Sequence, residues 1–287
     1  MAHYYPSDEV LVEIVAQFNK HNETTIGHMR NQYNALEKYV LAYCKDHNKY
    51  LVDRRNGNDT GINFKFRSAL FDAVSSTRSL GVVLNSREVN TLAHFSPLIE
   101  DDNSQSTYVH KQFISSYQRY VANPLDTWYQ KTVFSDLCKL LYVVRCNSAH
   151  TGKSSFGPNR AKIERDNSVA RLMVSINQLI FNIIMDRPDK KLACYGTLVD
   201  SPYTEKFTAI TGIVNGYLET ANDGLTYFTY ELGTGTVDVK LYKNNTAIDF
   251  SDIDAYEGST YERILIPVRC GNEVHIANIY ERRYSYE

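Results

Sequence analysis

"SVARLMVSINQLIFNIIMDRPDKKLACYGTL", residues 168–198, holds the point at which one folding pattern gives way to another. Val169, Leu172, Met173, Ile176, Ile180 and Ile183 recur at steps of three and four up to Met185. That spacing puts them on one face of a helix, and an apolar face of that length has to be buried. "DRPDKK" (186–191) then stops the helix, because proline brings no amide hydrogen to the ladder and disfavours helical geometry in the residue before it. Beyond it the apolar residues come in short runs, as in strands. The spacing predicts a domain boundary between Arg187 and Pro188.

Toward the N-terminus the helical period continues. In "TIGHMRNQYNALEKYVLAYCK" (25–45) Met29, Tyr33, Leu36, Val40 and Cys44 share a face. Residues 64–84, 107–121 and 132–144 read as further helices, the last turning Phe134, Leu137, Leu140, Leu141 and Val144 inward. An all-α helical bundle is expected over 1–187, with "DRRNGNDTG" (53–61) as a surface turn. Toward the C-terminus, "GIVNGYLE", "LTYFTYEL", "TVDVKLY", "YERILIPVR" and "EVHIANIYE" read as strands, with "NDG", "GTG" and "CGN" as turns. One helix is expected among them, in "DFSDIDAYEG", acidic at its start and stopped by Gly258. The fold class is therefore α+β in two domains, a helical bundle at 1–187 and a small β-barrel or α+β fold at 188–287.

Composition bounds the function. No run approaches the ~18 apolar residues of a membrane span, and "MAHYYPSDEV" lacks the basic and apolar regions of a signal peptide, so a cytoplasmic location without membrane contact is expected. Cys44, Cys138, Cys146, Cys194 and Cys270 are odd in number and never spaced C-x-x-C, which argues against a disulfide framework and a zinc site; reduced thiols, mostly core, are expected. The net charge of -2 hides an asymmetry, since 22 Lys+Arg face 18 Asp+Glu through Arg187 and 9 face 15 afterwards. The surplus at the front is too mild for a duplex footprint, but it makes that part the better match for a phosphate backbone.

Two stretches carry chemistry. "LYVVRCNSAHTGK" (141–153) ends an apolar helix with Arg145 and His150. A histidine can exchange a proton near neutrality, and the arginine fork can stabilise charge developing on phosphorus. Those roles suffice to cleave RNA: the histidine deprotonates the 2'-hydroxyl, which attacks the adjacent phosphate without metal or cofactor. On residues alone the favoured reading is a helix end with a favourable cation at Arg145 and a surface or core histidine at His150. Five helical steps turn through roughly 140°, so the pair needs either a helix ending near Cys146 or a second subunit. Lys153, Arg160 and Lys162 follow as candidate phosphate contacts, with Arg165 before the final helix.

An apolar helix running into R-C-N-S-A-H, followed by a long final helix, resembles the HEPN superfamily (higher eukaryotes and prokaryotes nucleotide-binding). The resemblance implies a metal-independent endoribonuclease with Arg145 and His150 catalytic at a homodimer cleft, RNA (tRNA or mRNA) as partner, and Asn147 as the auxiliary polar residue. In that family the polar residue commonly follows the arginine directly, where Cys146 stands here. Members with a decayed motif are nucleotide-binding or dimerisation modules. A fusion of this kind would suit a stress-response, toxin or phage-defence role.

In "KLACYGTLVDSP" (191–202) the strand ends in Tyr195-Gly196-Thr197-Leu198, a turn whose glycine lets backbone N–H groups face an anion. Val214-Asn215-Gly216-Tyr217-Leu218 and Glu257-Gly258-Ser259-Thr260-Tyr261-Glu262-Arg263 follow. Together they resemble the gamma-glutamyl cyclotransferase-like fold, with its Y-G-[ST]-x, V-x-G-x-L and E-G-x-x-Y-x-R stretches. The resemblance implies that Tyr195, Gly196, Thr197 and Leu198 cradle the amino-acid end of a gamma-glutamyl group. Glu257 would then shuttle a proton as 5-oxoproline closes, or the domain would only bind and regulate. Three readings stand: a ribonuclease regulated by its C-terminal domain, a cyclotransferase dimerised by its helices, and a nucleotide-binding scaffold with both sites idle. The first is the leading expectation. His94, His110 and His275 are expected to be structural.

Overall fold

A computed structural model of the chain describes residues 3–20, 24–53, 56–95, 105–150, 160–221 and 224–283, without the side chains of 105–106, 147–150 and 160–162. The chain divides into two compact units, Met1–Ile184 and Met185–Glu287, three residues before the expected break.

The first unit is helical: α1 (Asp8–Asn19), α2 (Thr25–Asp46), α3 (Ile62–Ser76), α4 (Leu80–Leu84), α5 (Arg87–Ala93), α6 (Gln105–Ala122), α7 (Thr127–His150) and α8 (Arg160–Ile184). Helix α2 starts where the Thr24 hydroxyl accepts the Gly27 amide at 3.0 Å. Its Met29, Tyr33, Leu36, Val40 and Cys44 are all buried, against α1, α3 and α8. Phe18 of α1 stacks on Phe181 of α8 with ring centres 3.7 Å apart. In α7, Phe134, Leu137, Leu140 and Leu141 are buried as expected, but Val143 takes the inward place expected for Val144. Leu172 of α8 is likewise only half-buried.

The helix expected over 64–84 is two. Ser76 and Thr77 turn their hydroxyls back onto the carbonyls of Ala73 and Val74, each at 2.7 Å, and Arg78 adopts a left-handed φ of 58°. Hydroxyls that compete for helix carbonyls, followed by a left-handed residue, end α3 before α4 begins. Buried His110 of α6 bonds the Leu92 carbonyl at 2.9 Å, and the His94 ring bonds the Asn90 carbonyl. The five cysteines are free thiols. No helix of the described residues is long and apolar enough to cross a membrane.

Helix α8 ends on two consecutive left-handed residues, Asp186 and Arg187, before Pro188 opens a short 3-10 turn. The second unit then forms β1 (Lys191–Cys194), β2 (Thr208–Asn215), β3 (Tyr217–Thr220), β4 (Thr226–Thr229), β5 (Thr236–Lys243), α9 (Ser251–Glu257), β6 (Tyr261–Cys270) and β7 (Glu273–Arg282). A closed barrel runs β1-β5-β2-β6-β7, and β7 returns to β1 in parallel with Leu192 opposite Asn278. Strand β1 is buried on both faces. Ala193 joins the barrel core of Val214, Val239, Leu241, Ile266 and Ile279, while Leu192 and Cys194 join Leu198, Phe250, Ile253 and Tyr280 outside it.

The run "GIVNGYLE", expected as one strand, is cut at Gly216. Its φ is +133°, and a Cβ there would lie 2.2 Å from the Thr229 carbonyl. Only glycine tolerates that approach, so the chain leaves the barrel and pairs β3 with β4 in a separate ladder.

Candidate functional site

The barrel brings Tyr195 and Glu257 into one neighbourhood. Tyr195 follows β1, and its hydroxyl donates to the Tyr280 carbonyl at 3.0 Å and accepts the Phe228 amide at 3.2 Å. The side chain thus fastens the first strand to β4 and β7, and burial pushes its phenol up. Gly196 takes a φ of +57° with open space beside its Cα, and Gly196 and Thr197 are exposed. Leu198 is not a lining side chain: at 4% exposure it is packed in the cluster with Phe250 and Ile253, so only its backbone can face a ligand.

Glu257 is the last residue of α9 and half-buried. Among the described residues its carboxylate has no hydrogen bond and no ion pair. Burial alone pushes it up to about 7, and its charge acts on Cys194, Tyr195 and Tyr280. A carboxyl group titrating near neutrality, unpartnered beside an exposed glycine turn, can take a proton from one group and return it to another.

Helix α9 is held so that this acid keeps its place. Asp254, one turn before Glu257, accepts Arg263 Nε at 2.9 Å and Nη2 at 3.3 Å, and the Tyr280 hydroxyl at 2.6 Å. Arg263 also donates to Asn278 at 3.2 Å and lies 4.2 Å over the Phe250 ring. The arginine of the E-G-x-x-Y-x-R stretch is therefore a brace between α9, β6 and β7. Sequence reasoning missed Asp254; its position three residues before Glu257 was the available signal. It also missed Glu281, which accepts the Tyr230 amide at 2.6 Å and is raised mainly by burial. Tyr261 stacks on Tyr227 with centres 5.4 Å apart and donates to the Thr226 carbonyl.

In the helical unit, α7 continues without a break through His150. Of the two conditions for Arg145 and His150 to work together, a helix end near Cys146 is therefore not met. The backbone positions of Arg145 and His150 lie roughly 140° apart around one helix. Arg145 points to α2, where its Nη2 donates to Asn34 at 3.3 Å and lies 3.7 Å from Glu37, with the Tyr33 ring 5.7 Å away. Its side chain is about a quarter exposed. Half-buried Cys146 hydrogen-bonds with Tyr142 one turn back, which raises that phenol. Lys153 and the side chains of Asn147, His150, Arg160 and Lys162 lie outside the described residues. Arg160, Lys162 and Arg165 are not in a loop before the last helix: α8 begins at Arg160. Arg165 pairs with Asp166 at 3.4 Å. Among the described residues no three His, Cys, Asp or Glu side chains are grouped to hold a metal.

Comparison with family models, with curated proteins and with solved structures finds no match to this chain.

Proposed function

We propose that the barrel is a gamma-glutamyl cyclotransferase-like site in which Glu257 moves the proton, fused to a helical unit that cleaves RNA. The observation that carries the first half is the state of Glu257: half-buried, unpartnered, and titrating at about 7 beside the Tyr195-Gly196-Thr197-Leu198 turn. In this reading the substrate's free α-amine attacks its own gamma-carbonyl. Glu257 accepts the proton lost by that nitrogen and delivers it to the leaving amine, so 5-oxoproline and a free amine result. Desolvation fits the acid for both halves of the exchange, because a carboxyl near pH 7 both receives and releases.

A ribonuclease reading of the helical unit is favoured by Arg145. Its guanidinium is fixed by Asn34 and Glu37 yet stays partly accessible, as a phosphate-stabilising group requires. The unbroken helix makes a single-chain Arg145/His150 pair geometrically unsuitable. The reading therefore includes a homodimer, in which the arginine of one subunit meets the histidine of the other. The scaffold alternative predicts neither activity.

One comparison tests the three. Wild type, His150→Ala and Glu257→Gln are assayed for RNA breakdown in excess EDTA and for 5-oxoproline release from a panel of gamma-glutamyl amines. The proposal expects each variant to lose one activity and keep the other. RNA degraded equally by wild type and His150→Ala ends the nuclease half. Oxoproline release untouched in Glu257→Gln ends the other.

A further inference from the structure

The helical hairpin of α6 and α7 carries a charge imbalance that extends beyond Arg145. Along these two helices stand five cations, Lys111, Arg119, Lys131, Lys139 and Arg145, against one carboxylate, Asp136. A groove of about 430 Å3 runs between them, with Tyr108, Lys111, Ser115 and Arg119 on its α6 wall and Thr132 and Asp136 on its α7 wall. Lys111 and Arg119 are exposed, and neither side chain has an ion pair or hydrogen bond among the described residues. They are eight residues apart, so the helix rise sets them roughly 12 Å from each other along one face.

Aromatic rings flank the cations. Tyr108 is 64% exposed and its hydroxyl accepts a bond from Gln112 at 3.0 Å, and Gln112 in turn accepts Lys139. Trp128 is 59% exposed and lies one turn before Thr132 on the same side of α7. A groove wall with an exposed tyrosine and two exposed cations, with an exposed tryptophan one turn along α7 from Thr132, suits single-stranded nucleic acid, where bases stack on rings and phosphates meet the cations. A duplex has its bases already stacked and offers the rings nothing. The lone acid, Asp136, has a use there as an acceptor for a base's exocyclic amine.

We propose that the α6–α7 groove is a binding track for single-stranded RNA, with Lys111 and Arg119 on two phosphates of one strand that are separated by an intervening nucleotide, and Tyr108 and Trp128 as stacking platforms. The choice of RNA as the polymer rests on the ribonuclease reading; the binding itself rests on the groove. The register of α7 ties the two together. From Thr132 to position 150 is eighteen residues, five whole turns, so the backbone carries the groove face on to that position.

The test is fluorescence anisotropy of a labelled twelve-nucleotide single-stranded RNA, its duplex and the equivalent single-stranded DNA. The full-length chain is used, with His150→Ala as background so that the probe stays intact. Lys111→Glu/Arg119→Glu should weaken single-stranded binding at least tenfold, and losing two phosphate contacts should flatten the slope of log K against log salt by about 1.4. Tyr108→Ala should weaken binding about fivefold or more at unchanged salt slope. Both replacements are at exposed positions, and an unchanged thermal melt confirms that the fold is kept. Equal binding by charge-reversed and unreversed protein overturns the track and leaves the nuclease reading standing. Duplex bound as tightly as single strand overturns the single-stranded assignment, and DNA bound more tightly than RNA overturns the polymer. Charge-sensitive RNA binding by a protein whose native His150 form leaves RNA intact keeps the track and ends the nuclease reading.

Discussion

Glu257→Gln should stabilise the barrel at pH 8 by clearly more than it does at pH 5. The acid's ordinary value is 4.5, and burial in the folded unit lifts it to about 7. Between those values the folded protein holds a proton that the unfolded chain has released, so wild-type stability falls as pH rises from 4.5 and levels off above about 7. If the group were wholly shielded, the displacement would correspond to about 3 kcal/mol. Glu257 is only half-buried, and solvent screening reduces this to about 1–2 kcal/mol. Glutamine removes the charge without removing the volume, so the variant recovers that amount where the wild type is ionised. For a unit of this size, about 4–8 °C per kcal/mol is expected in the barrel's calorimetric transition at pH 8. Glu281 is raised in the same direction but is common to both proteins, so the difference between them isolates Glu257. A variant whose melting difference from wild type is the same at pH 5 and pH 8 would refute the assignment of a shielded, unpartnered acid.

Three further outcomes are expected. Gly216→Ala, which forces a Cβ to within 2.2 Å of a carbonyl at a φ of +133°, should cost the barrel about 2–4 kcal/mol, read as a lowered second calorimetric transition. Asp254→Ala frees α9 from Arg263 and Tyr280; the pair is partly exposed, so stability should drop by only about 1 kcal/mol while 5-oxoproline release falls at least tenfold. Arg145→Ala and His150→Ala proteins, each inactive on RNA, should recover roughly a quarter of wild-type activity when unfolded together and refolded as mixed dimers, because half the dimers then hold one intact composite site. No recovery in that mixture would show that the two residues act within one chain.

Legibility in the sequence followed the length of the pattern. Helix α2 could be read because five positions over four turns agree on one face, and the same residues are buried in the fold. Helices α1 and α5 were not named: α5 has seven residues, too few for a period to stand out, and is fixed by Ser86 capping Val89 and by burial of Val89 and Leu92. The division of 64–84 was hidden because apolar spacing continues through it, while the break is made by hydroxyls and by Arg78's backbone. In the barrel, Tyr195 and Glu257 stand out in the sequence through the motifs that carry the resemblance. Asp254 and Glu281 do not, since an acid among many acids in an acidic domain carries no mark of its partner.

By itself the sequence determined the two patterns and the place where they meet, because periodicity and proline are local properties of the chain. It also determined which residue types are available for proton transfer and phosphate binding. Tertiary structure decided what those residues can do. Closing β7 onto β1 brings the Tyr195 turn and the end of α9 together across more than sixty residues of chain, and the resulting loss of water moves Glu257 toward neutrality. The unbroken α7 fixes the angle between the Arg145 and His150 positions, and the α6–α7 contact sets the α6 cations Lys111 and Arg119 in one groove with Thr132 and Asp136 of α7. Distance, burial and direction are properties of the packed chain, and no local pattern encodes them.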